Sequence, residues 1–263
     1  MDIGIGLDPT LRLDIEQQKE MSREAARLGY QSIWTPEVPG QMDSYQVCLM
    51  RWAASNEIVD GGLETGIAVS PVMWRTPMAF AMTGGTVSHM TGGKFIMGIG
   101  AGGAYRPDVR RTIGLPKMSA LSLMRDYISI IKELVNEGKT DYEGDVGIMK
   151  GGRMSINPLP KTPVYLGALG PKMLQLAGEL ADGAALNWCA PEQVAWSRDR
   201  IAEGAEKVGR DPSEIKVSEY IRICVDEDED RARIALAKAT MQYALGPTVP
   251  PEKDPSFGYR AHF

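Results

Sequence analysis

Two histidines, His89 and His262, are all this chain has, and its three cysteines, Cys48, Cys189 and Cys224, form no C-x-x-C pair. The first scarcity leaves no basis for a histidine-rich metal centre, and no metal is expected. It also argues against a serine–histidine triad. The odd, scattered thiols fit a reduced compartment, so a cytoplasmic protein is expected, and Cys189 is expected to be inert. No apolar run approaches the length of a membrane span. Met1-Asp2-Ile3 leads straight into a strand pattern, so no signal peptide is expected. Basic excess is missing too: the net charge is −5, which gives no field for nucleic acid or an anionic membrane. With so few side chains able to carry redox or metal chemistry, difficult chemistry would fall to a bound organic cofactor acting on a small molecule.

What the 263 residues do have is alternation. Strand-like runs at residues 2–7, 32–36, 63–70, 94–99, 164–166, 184–187 and 215–225 are each followed by a helical pattern. A repeated strand–helix order implies parallel strands joined by helices. The clearest helix carries Leu121, Met124, Ile128, Ile131 and Val135 at helical spacing and stops at Gly138. Gly84-Gly85 weaken the third helix and point to close packing there. Residues 140–162 depart from the pattern and read as a hairpin insertion, and residues 246–263 as an irregular tail on a single domain spanning 1–263. Asp226, with Glu229 three residues on, is the expected cap of the last helix. Glycine-rich loops after the fourth and fifth strands favour a (β/α) barrel over an open doubly wound sheet.

Residues 163–188, PVYLGALGPKMLQLAGELADGAALNW, organise the rest. A strand breaks at Gly167, Ala168, Leu169 and Gly170, and Pro171 stands where proline suits the first helical turn. A glycine loop leading onto a helix N-terminus suits a phosphate, and equally a tight turn.

The segment VYLGALGPKMLQLAGELADGAALNW resembles the fifth-to-sixth-strand region of the luciferase-like monooxygenase superfamily. GPKMLxLAGExADG is most similar to its coenzyme F420-dependent branch, which includes the methylenetetrahydromethanopterin reductases. TGGKFIMGIGAGG and TGIAVSPVMWRTP are similar to the fourth- and third-strand segments of that superfamily. The resemblance implies a TIM-type (β/α)8 barrel, here expected to lack the eighth βα unit. It implies an F420-dependent oxidoreductase moving a hydride between the deazaflavin C5 and a small organic substrate, and a homodimer. The alternatives are an FMN-dependent monooxygenase and a flavin-binding barrel without catalysis.

It also implies a site. Gly66, Ile67, Ala68, Val69 and Ser70 would form a bulge backing the ring, in some relatives through a non-prolyl cis peptide. Gly100, Ala101 and Gly102 would allow close backbone approach, as would Gly98. Gly167, Ala168, Leu169, Gly170, Pro171 and Lys172 would cradle the phosphate, with Asn187 nearby. Glu37, ending the second strand, would be an acid facing the ring, or else a carboxylate paired locally. Trp74, Arg75 and Trp188 would wall the substrate pocket, Arg75 holding an anionic group. Relatives often carry a glutamate after the fourth strand where Gly103 and Ala104 stand here, which speaks against a sugar-phosphate dehydrogenase.

Overall fold

The computed structural model describes residues 1–245 apart from 105, 158 and 160. In chain order the elements are β1 (Gly4–Gly6), α1 (Ile15–Arg27), β2 (Ser32–Thr35), α2 (Ser44–Asn56), β3 (Glu64–Ile67), β4 (Ser70–Pro71), α3 (Pro77–Met90) and β5 (Phe95–Gly100). Then come α4 (Pro107–Thr112), α5 (Ala120–Glu137), β6 (Lys139–Glu143), β7 (Ile148–Arg153), β8 (Val164–Gly167), α6 (Pro171–Leu180), β9 (Gly183–Asn187), α7 (Pro191–Lys207), β10 (Lys216–Tyr220) and α8 (Glu229–Leu245).

Parallel strands run β1-β2-β3-β5-β8-β9-β10, with the short β4 also on β5. This sheet curls into a nearly closed barrel with helices outside. Several helices start where the sequence supplies a cap: Asp14 closes a capping box with Gln17 on α1, and Asp43 accepts from the Tyr45 and Gln46 amides on α2. Gly138, in the left-handed region at φ 73°, ends α5 as the sequence predicts. The core joins one face of α5 (Met124, Ile128, Ile131, Leu134, Val135) to the continuously apolar β5, buried along its whole length. Gly84 does serve close packing, since a Cβ there would stand 2.7 Å from Met97 Sδ on β5.

Inside the barrel, Trp34 of β2 lies across Gly66 of β3 and near Tyr165 of β8, ring centroids 6.3 Å apart. Among the described residues no strand links β1 to β10. At that seam the Tyr220 ring lies directly on Gly6, where a Cβ would be 1.9 Å from the ring. Residues 140–162 do carry an antiparallel hairpin, β6 with β7. Buried Asp126 accepts the Tyr142 hydroxyl at 3.0 Å and the Val146 and Gly147 amides at 2.7 and 2.8 Å, tying the hairpin to α5.

Two expectations change. The seventh strand stops at Tyr220, not at 225, and Ile221, Ile223 and Val225 are exposed, for no strand flanks them among the described residues. Asp228 rather than Asp226 caps α8, accepting from the Asp230 and Arg231 amides, while Asp226 pairs with the Arg231 side chain. The expected tail, 246–263, lies outside the described residues.

Candidate active site at the carboxyl ends of the strands

After Ile67 the chain leaves the β3 ladder, passes through a cis Ala68–Val69 peptide bond and re-pairs with β5 at Ser70. The end of β2 holds this bulge. The Ala68 amide donates to the Thr35 carbonyl at 2.9 Å, and the Glu37 amide to the Val69 carbonyl at 3.3 Å. Gly66, Ile67 and Ser70 are buried, and only Ala68 and Val69 are half-exposed. Of the five bulge residues expected to touch a ring, these two can present side chains to one.

The glycines around the bulge have a different physical reason from the expected one. A Cβ at Gly98 would sit 1.8 Å from the Ile67 carbonyl oxygen, and one at Gly100 2.5 Å from Val69 Cγ2. Gly102, at φ 55°, would drive a Cβ to 2.3 Å from Pro71. These positions are glycine because the bulge packs on them; they carry the platform, and Ala101 packs half-buried against the core beside them.

Glu37 and Arg75 also take a role unlike the one expected. Arg75 Nη1 and Nη2 reach Glu37 Oε2 and Oε1 at 2.5 and 2.6 Å. Nη2 also meets Asp43 Oδ2 at 2.5 Å, and the Ser70 hydroxyl donates to Glu37. The guanidinium stacks over the Tyr45 ring at 4.9 Å. Burial alone would lower the Arg75 pKa, and its bonds to Glu37 and Asp43 lift it above the ordinary value instead. Arg75 is therefore committed to internal carboxylates, which corrects its expected role as holder of a substrate anion. Glu37 pairs locally and braces the bulge through Ser70. The sequence left that alternative open.

At the β8–α6 connection Gly167 and Leu169 are half-buried and Ala168 is 4% exposed, whereas Gly170, Pro171 and Lys172 are exposed. Gly170 is the N-cap, at φ −84° and ψ 154°, with no side-chain cap and nothing within 4 Å of where its Cβ would be. The helix start is open, and among the described residues no side chain caps it.

On the other flank, β9 ends at Asn187 and Trp188 follows at φ 60°. The Cys189 amide donates to Glu219 Oε1 at 2.9 Å, and burial with Glu219 beside it pushes the Cys189 thiol up to about 12. Arg222 lies over the rings of Trp188 and Tyr220, at 5.3 and 3.8 Å. Sequence reading missed Glu219, Tyr220 and Arg222; their signal was alternation along the seventh strand, with an acid, an aromatic and an arginine at its carboxyl end. Trp74, 41% exposed, stands after β4. Between the loops after β1 and β2 is a further cleft of about 400 Å³, lined among others by Asp8, Arg12, Gln18, Thr35, Ser44 and Arg51.

Comparison with known proteins adds the ancestry. The sequence profile of the family described as luciferase-like monooxygenase matches residues 3–261. The chain is 28% identical over 228 residues to a 5,10-methylenetetrahydromethanopterin reductase of Methanolobus tindarius, covering 87% of this chain and 66% of that one. It is 27% identical over 232 residues to a putative coenzyme F420-dependent oxidoreductase of Mycobacterium tuberculosis, covering 82% and 65%. In structure it is similar to the coenzyme F420-dependent tetrahydromethanopterin reductase of Methanopyrus kandleri, at a TM-score of 0.78 and 23% identity, covering 94% and 73%. That likeness bears on the fold, and the barrel is the expected one. The chain spans about two thirds of the length of the two sequence relatives.

Proposed function

The chain belongs to the luciferase-like monooxygenase family, and we propose that it acts as an F420-dependent oxidoreductase that moves a hydride between the cofactor and a small organic substrate. The observation that carries this reading is the open helix start at Gly170. A strand's carboxyl end delivers a helix N-terminus with an exposed, uncapped first turn, and the nearby Lys172 adds an exposed cation. Backbone N–H groups and the positive dipole end there suit a phosphate. The relatives named for F420 support the choice of cofactor.

When bound, F420 would supply the hydride chemistry at its deazaflavin C5. The chain's own residues supply placement. Ala68 and Val69 offer a small apolar platform whose amide and carbonyl are already satisfied by β2, so its outward surface suits a flat ring. Gly98, Gly100 and Gly102 let that platform sit close on β5. The Glu37–Arg75 pair, with Ser70 and Asp43, fixes the bulge from behind. Trp74 stands after β4 and Trp188 after β9, where they would wall the substrate pocket.

Titration of the purified protein with F420 and, separately, FMN tests the reading. Saturable F420 binding that weakens with added salt is expected, because the cofactor's tail is polyanionic. FMN binding without F420 binding would overturn it.

A further inference from the structure

Arg51 is a buried cation without a counter-ion. It sits on α2 at 4% exposure. Nη1 donates to the Trp34 carbonyl at 3.3 Å, and Nη2 to the Leu7 carbonyl at 3.2 Å and to Gln18 Oε1 at 2.9 Å. All three acceptors are neutral. Among the described residues Arg51 enters no salt bridge, and its Nε–H is buried without a partner. Arginine does not escape such a position by losing its proton. A buried charge is expensive unless an opposite charge and full hydrogen bonding offset it.

The three bonds tie the ends of β1 and β2 to α1, and a bracket explains them. It explains neither the unused Nε–H nor the missing carboxylate. Arg51 also lines the cleft of about 400 Å³, which has exposed Arg12 in its wall and reaches Thr35, Pro36 and Val38 on either side of Glu37.

We propose that this cleft binds a small organic carboxylate, with Arg51 as its counter-ion and Arg12 at its rim. One buried monocation matches a monoanion, and Asp8 in the lining disfavours a dianion such as phosphate. The site stands on this geometry alone; identifying its ligand as the substrate's carboxyl group rests on the reading under Proposed function, since the cleft and the ring platform share the end of β2.

Sodium benzoate and inorganic phosphate are the probes, titrated into the full chain by calorimetry and followed through the ¹⁵N resonance of Arg51 Nε. Saturable benzoate binding that shifts this resonance is expected, with phosphate the weaker ligand. Gln18→Glu places a carboxylate where a neutral acceptor now meets Nη2. It should raise the ligand-free Tm and weaken benzoate binding by roughly tenfold or more. Arg51→Met should lose benzoate as well, and Gln18→Glu decides the matter if the methionine variant fails to fold. No saturable benzoate binding, unchanged affinity in Gln18→Glu, or tighter phosphate binding would each overturn the proposal. Failure here with F420 still binding removes only the carboxylate site, whereas benzoate binding without F420 binding removes only the cofactor reading.

Discussion

Glu37 and Arg75 meet as a bidentate pair, Nη1 to Oε2 at 2.5 Å and Nη2 to Oε1 at 2.6 Å, with side chains 10% and 16% exposed. Glu37→Gln removes the charge that Arg75 is built around. It should cost about 1.5–3 kcal/mol, the usual worth of a hydrogen bond to a charged group. Arg75→Lys should lose stability too, for lysine cannot form the fork. Denaturant unfolding gives the loss, and turnover measured well below the Tm separates the roles. A proton-transfer role for Glu37 would instead cut turnover by roughly 10²–10⁴-fold at unchanged stability.

Val69 and Gly100 should be energetically coupled. In Gly100→Ala the new Cβ falls 2.5 Å from Val69 Cγ2, and overpacking of this kind costs about 1–3 kcal/mol. Val69→Ala in the same chain should recover much of that loss. A double-mutant cycle that sums additively would show that the contact does not set the residue at 100.

Gly170 separates a ligand site from a turn. Its φ of −84° and the open space around it mean that Gly170→Ala adds neither left-handed strain nor a clash. The alanine variant should keep F420 affinity. Gly170→Asp should hold or slightly raise the Tm, as aspartate is a good N-cap, while repelling a phosphate from the same place. Equal losses of affinity in the two variants would remove the phosphate from this helix.

The thiols should differ sharply in behaviour. Burial pushes Cys48 and Cys189 from the ordinary 9.0 to about 12, while Cys224 is exposed. Iodoacetamide near neutral pH should modify Cys224 first, as mass mapping would show. The raised folded-state pKa values also set a pH dependence. Stability is complete below the unfolded value of 9.0 and falls as pH rises towards 12, because the unfolded thiols ionise first. Cys48→Ala should flatten that alkaline decline in Tm, whatever it does to the neutral-pH value.

Local signals in the sequence carried much of the fold. Pro171 at a helix start, Gly138 at a helix end and the stripe on α5 each act within a few residues of themselves, so they can be read directly. The site was legible as a region and less so as contacts. Glu37 finds Arg75 across 38 residues and Arg51 finds Gln18 across 33, pairings that only the folded barrel creates. The glycines of β5 misled for a related reason. A missing side chain marks close approach without saying what approaches, and here Val69 and the Ile67 carbonyl do.

Among the described residues the ring of strands is held by backbone ladders except at one place, where Tyr220 rests on Gly6. Mechanically this makes the barrel a split ring with a soft direction. A change in its radius should be taken up at the seam, where sliding an aromatic contact costs less than breaking a ladder. Leu7, an Arg51 acceptor, adjoins one lip of the split, and Arg222, stacked on Trp188, adjoins the other. Widening the seam should therefore move the cleft lined by Arg51 and the Trp188 side chain apart. The outward amides of β1 and β10 should exchange with solvent faster than those of β5, and filling both mouths with ligand should slow that exchange.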